Sequence, residues 1–137
     1  MENTIMNVKE SIVVDHVQDD DVLLEIMLTT FCNINCDYCC KRINDIPAQD
    51  RKHIDTEVFS KAVEKLFSIN KNIKYRIILM GGEITLHPEL DQIIKILSKY
   101  ESQIPLLELA FNGKLNFKKY IDLFPAEKLI INITIHK

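Results

Sequence analysis

The stretch Val22-Leu23-Leu24-Glu25-Ile26-Met27-Leu28-Thr29 is followed, one residue later, by Phe31-Cys32-Asn33-Ile34-Asn35-Cys36-Asp37-Tyr38-Cys39-Cys40. Its first half is apolar from Val22 to Leu28 except for Glu25, and such near-continuous hydrophobicity over a short span predicts a strand covered on both faces, as in a parallel sheet. Its second half holds all four cysteines of the chain, three of them spaced C-x-x-x-C-x-x-C. A thiol-rich loop thus leaves the carboxyl end of the first strand.

Thiolates are soft ligands suited to zinc or iron-sulfur clusters, and three from one short loop can converge on one centre. Disulfides are disfavoured, because the chain shows no secretory signal and cytosolic thiols are kept reduced. A structural zinc ion normally takes four ligands in paired clusters. No second cysteine pair exists, yet His53 or Cys40 could supply a fourth ligand, so on spacing alone zinc and a cluster both stand. Cys40 points away from its neighbour Cys39 on any extended or turning backbone and reads as a bystander thiol.

Upstream, residues 1–21 form an N-terminal extension. A short strand fits Ser11 to Asp15, and Asp19-Asp20-Asp21 reads as a solvated turn. Downstream, residues 22–137 read as one core domain. After a polar loop from Lys41 to His53, Asp55 or Thr56 can cap a helix whose apolar positions are Val58, Phe59, Ala62, Val63, Leu66 and Phe67. Tyr75 to Met80 is a second strand, ending in Gly81-Gly82-Glu83. Paired glycines permit positive φ and close approach of a ligand to the backbone; by themselves they also read as a plain tight turn.

Pro88 occupies a first-helical position ahead of Leu90, Ile93, Ile94 and Leu97, one face of a second helix. Leu106 to Phe111 is a third strand closed by Asn112-Gly113. Asn116 to Phe124 is predicted to be a short helix with Phe117, Tyr120, Ile121 and Phe124 inward, and Lys128 to Ile135 a fourth strand. The alternation predicts an α/β fold, a parallel sheet of about four strands with right-handed crossovers and helices on the outer face. Ligands of such sheets bind at the carboxyl ends of the strands. The cysteine loop, Gly81-Gly82-Glu83, Asn112-Gly113, and Thr134 with His136 would all stand on that rim.

At 137 residues the chain is one domain by size. A net charge of -3 without a basic stripe gives nucleic-acid binding no electrostatic support. Nothing approaches the roughly 18 consecutive apolar residues of a membrane span, and no targeting segment is visible. The expectation is a cytoplasmic protein without nucleic-acid or membrane partners.

Cys32, Cys36, Tyr38 and Cys39, followed by a strand ending in Gly81-Gly82-Glu83 and then by Thr85-Leu86-His87-Pro88, resemble the radical S-adenosylmethionine (radical SAM) superfamily. The pattern is closest to molybdenum-cofactor synthesis enzymes and peptide maturases, and it covers the chain from about Val22 onward. The resemblance implies a partial radical SAM-type (βα) barrel. It implies that Cys32, Cys36 and Cys39 hold three irons of a 4Fe-4S cluster, leaving the fourth for the amino and carboxylate groups of S-adenosylmethionine. Reductive cleavage would then give a 5'-deoxyadenosyl radical that takes hydrogen from an unidentified substrate. An electron donor such as a flavodoxin or ferredoxin would be required.

By the same resemblance, Tyr38 lies against adenine. Gly81, Gly82 and Glu83 receive the methionyl amino group through backbone and carboxylate, and Asn112 and Thr134 contact the carboxylate or ribose. His136, beside the chain terminus, reads as solvent-exposed. Two features depart from the family pattern. Ile84 stands where proline is usual, which alters the stiffness of the turn. The family core resembles six βα units, whereas this chain stops after the fourth strand and so looks truncated. The apolar Leu129-Ile130-Ile131-Asn132-Ile133-Thr134-Ile135 is then expected to present an unpaired edge, covered by a partner chain or the N-terminal segment. The alternative function is a non-catalytic iron-sulfur or zinc module without a complete S-adenosylmethionine pocket.

Overall fold

The structure is a computed structural model that describes residues 21–36, 39 and 42–134. The expected strand at Ser11 to Asp15, together with Tyr38, Cys40 and His136, lies outside the described residues. Four strands form one parallel sheet in the order β1-β2-β3-β4: β1 (Val22–Thr29), β2 (Tyr75–Gly81), β3 (Leu106–Phe111) and β4 (Leu129–Ile133). Helix α1 (Thr56–Ile69) connects β1 to β2, and α2 (Leu90–Ser98) connects β2 to β3.

Side chains alternate across a strand, and one parity builds the core. Leu28, Ile77, Leu79, Leu107, Leu109 and Phe111 are buried with Phe59, Val63 and Phe67 of α1 and Leu90, Ile93, Ile94 and Leu97 of α2. The other parity is uncovered: Leu23 is 52% and Met27 43% exposed. Coverage of β1 on both faces is therefore not what is found. Both helices lie on the same side, and the apolar residues of the opposite parity form an open face, the face that is interior in a (βα) barrel. On that face Glu108 accepts a hydrogen bond from Asn132 Nδ2 at 2.9 Å. Arg76 Nε is buried there without a hydrogen-bond partner among the described residues.

Asp55 is the N-cap of α1, its carboxylate accepting from the Val58 N–H at 2.9 Å, a bond of a kind that stabilises by about 1 kcal/mol. Val58 and Ala62 are exposed rather than part of the packing stripe, because they sit one residue, about 100° of helix rotation, from Phe59 and Val63. Helix α2 starts at Leu90; Pro88 is in the turn before it, where the Glu89 N–H donates to His87 Nδ1.

The helix expected over Asn116 to Phe124 is a 3-10 stretch, Lys118–Leu123. Asn116 takes the Lys118 N–H onto its side chain and Pro125 follows Phe124, so little room remains for α-helical bonds. Tyr120 and Phe124 are buried from this segment, with Phe117 packed against the core.

The two edges of the sheet differ. The upper part of β1 is covered by the returning chain: Thr29 bridges His53 antiparallel, the Thr30 N–H donates to Lys52 O and the Ile54 N–H to Leu28 O. Strand β4 pairs with β3 alone among the described residues, with Asn132 and Ile133 exposed.

Candidate functional site

Strand β1 carries a register irregularity between Met27 and Thr29, just before the cysteine loop. The buried Thr29 hydroxyl accepts from the Phe31 N–H at 3.0 Å and turns the chain over the rim. Phe31 stacks on His53 at 4.6 Å between ring centres, and His53 meets His87 edge-on at 5.1 Å. His87 is buried; its Nε2–H donates to Ile54 O at 2.8 Å, which fits the tautomer that accepts at Nδ1. Desolvation, and secondarily the His87 ring, hold the His53 pKa below its ordinary value. His53 is thus engaged with Phe31 and His87, and it does not border the cleft that the three cysteines line.

The diglycine turn has a reason visible in the backbone. A Cβ on Gly81 would stand 2.4 Å from Thr29 O, and one on Gly82 would stand 2.0 Å from Phe31 O. Only glycine lets the end of β2 come this close to the start of the cysteine loop. The Gly82 N–H donates to Thr29 O and the Glu83 N–H to Phe31 O, fastening the loop to β2. Ile84 is fully buried and anchors the turn below the rim.

Glu83 is buried as well. Its Oε1 accepts from the Thr85 N–H and hydroxyl, and its Oε2 accepts from the Asn112 N–H at 2.7 Å. The Asn112 side chain donates through Nδ2 to Asn33 Oδ1 at 2.6 Å, between Cys32 and Cys36 in sequence. Next to it, Gly113 has φ 75°, the left-handed region that favours glycine. The Thr134 N–H donates to Phe111 O and brings the end of β4 to the same rim.

These turns enclose a cleft of about 330 Å³ bordered by Cys32, Cys36, Cys39, Gly81, Gly82, Asn112 and Thr134. Every described member of the expected site lies on it except Glu83, whose carboxylate is turned into the protein. The three cysteines are partly exposed and outside any disulfide. No three Cys, His, Asp or Glu side chains among the described residues are grouped tightly enough for a single metal ion. Met80 and Ala110 of the open face also border the cleft; strand parity marks them in the sequence once the sheet is known to be one-sided. Asn33 and Thr85 were not anticipated. Thr85 carried a signal, a hydroxyl two residues after a carboxylate at a turn.

A family model described as the Radical SAM superfamily matches residues 26–136. The chain belongs to the radical SAM superfamily. A relative in Thermoplasma volcanium, named "Probable GTP 3',8-cyclase", is 38% identical over 77 residues, 56% of this chain and 22% of that protein. The chain therefore spans about a fifth of the length of this curated relative. No solved structure matches it. The open, one-sided parallel sheet is that of a partial radical SAM barrel, and no helix among the described residues is long and apolar enough to cross a membrane.

Proposed function

We propose that this chain is the cofactor-binding part of a radical SAM enzyme. The observation that carries the reading is the placement of three thiols, the diglycine turn, Asn112 and Thr134 around one cleft at the carboxyl ends of parallel strands. The donor set fits a 4Fe-4S cluster: three soft thiol ligands from one loop, partly exposed on one side of the cleft, with backbone groups rather than a fourth thiol opposite. Cys32, Cys36 and Cys39 would hold it, and the rim at Gly81-Gly82 and Asn112 would receive S-adenosylmethionine. When bound, the cluster supplies the electron that cleaves S-adenosylmethionine to a 5'-deoxyadenosyl radical able to abstract hydrogen from substrate.

The protein's own residues orient and shield. Glycines 81 and 82 let the cysteine loop seat against the end of β2 at the cleft's border, and Met80, Ala110 and Phe111 give the cleft an apolar floor that would keep water from a reactive intermediate. Electrons would come from a carrier such as a flavodoxin or ferredoxin. The relative's name specifies GTP for that protein, and the match covers 22% of it. A second reading, a metal-binding module without cleavage, draws on strand β4, which pairs with β3 alone among the described residues.

The test is anaerobic reconstitution with iron and sulfide, then reduction with S-adenosylmethionine present. The expected outcome is cluster loading and 5'-deoxyadenosine formation, both lost in Cys36→Ala. Cluster loading without cleavage would favour the module, and stoichiometric zinc with no cluster would end both iron-sulfur readings.

A further inference from the structure

Glu83 is 1% exposed, and its carboxylate is occupied on both oxygens. Two of its three partners are backbone N–H groups, on Thr85 and Asn112, and a buried N–H left without an acceptor is costly. The cleft is bordered by Gly81 and Gly82 before it in sequence and by Asn112 across from it, but not by Glu83 itself. Buried and held on both oxygens, the carboxylate is not presented to a group in the cleft.

Resting on the reading that the cleft takes S-adenosylmethionine, we propose that Glu83 is a positioning residue that braces the rim and is not itself a contact to the methionyl ammonium. Glu83 fixes the turn after β3 against the turn after β2. Asn112 in turn reaches Asn33 in the cysteine loop. One buried charge thereby sets the relative positions of three loops that come from three strands.

Glu83→Gln separates this role from direct contact. Its amide oxygen can still accept from Thr85, while its NH2 would face the Asn112 N–H, donor against donor. Binding of S-adenosylhomocysteine, which carries the ammonium, and of methylthioadenosine, which lacks it, is measured calorimetrically on the reconstituted full chain. The temperature is one at which wild type and variant are both fully folded by circular dichroism, so general destabilisation does not enter.

The brace predicts that both affinities fall by the same factor, about tenfold for one charged hydrogen bond lost at the rim, and that the Asn112 amide exchanges faster. A loss confined to S-adenosylhomocysteine, or no loss for either nucleoside, overturns it. If wild type binds neither, the S-adenosylmethionine reading fails, and Asn112 amide exchange alone decides the brace: unchanged exchange overturns it. Should Glu83→Gln not fold, Thr85→Val loosens the same carboxylate and is expected to shift exchange at Asn112 in the same direction by less; an unchanged rate counts against the brace.

Discussion

On the helix side of the sheet, Ile77, Leu79, Leu107 and Leu109 are sealed into one core with α1 and α2. On the other side, Leu23 and Met27 stand about half exposed, and Glu25, Arg76, Glu108 and Asn132 interrupt the apolar residues. The two faces share the same strands and the same backbone bonds, and differ only in residue parity. Stability is thus concentrated in one parity, which leaves the other, with the rim above it, to carry polar and reactive groups at little cost to folding.

Substitutions of opposite parity sharpen the contrast most. Leu109→Ala is expected to cost about 2–5 kcal/mol in urea unfolding, whereas its neighbour Ala110→Ser should stay within about 0.5 kcal/mol; comparable losses would mean that the open face is as well packed as the other. The rim shows the next largest effect. Gly82→Ala drives a Cβ into Phe31 O and should cost about 1–3 kcal/mol, with iron loading lost alongside; normal loading would separate the glycines from the seating of the cysteine loop.

A smaller effect of opposite sign is expected on the open face. Arg76→Met removes a buried donor that lacks a partner among the described residues, and the unfolding free energy from urea titration should hold or rise, by up to about 1 kcal/mol. The smallest effect is a pH dependence. Folding lowers the His53 pKa from its usual 6.5, so the unfolded chain binds the proton more readily; stability is full above 6.5 and declines as pH falls below it. His53→Phe should flatten that slope in thermal melts between pH 5 and 7, and an unchanged slope would assign it to other groups.

Much of this was legible beforehand. The span of β1 and β3, the buried face of α2 and the arrival of three motifs at one rim follow from apolar runs, punctuating glycines and the α/β alternation. Helices on the outer face followed from the same alternation, but the exposure of β1's other face did not: Val22 to Leu28 is nearly all apolar, and nothing local distinguishes a strand covered on both faces from one that lines an open barrel. The segment after Gly113 misled because Phe117, Tyr120 and Phe124 fit a 3-10 stretch as well as an α-helix. For Glu83, the orientation of the carboxylate depends on Asn112, whose nearness is purely tertiary. Paired glycines fit a ligand's approach or a plain tight turn equally well in sequence, and here their bareness lets two backbones touch.

The chain leaves β1 at Thr30 and returns to the same strand's edge at Lys52 to Ile54. The cysteine segment is therefore a closed excursion with its mouth stapled shut, and doubling its length would add only about 0.6 kcal/mol of closure entropy. Insertions at the exposed stretch 47–50 should leave the strand register untouched, which makes this excursion the natural place to graft new recognition onto the scaffold.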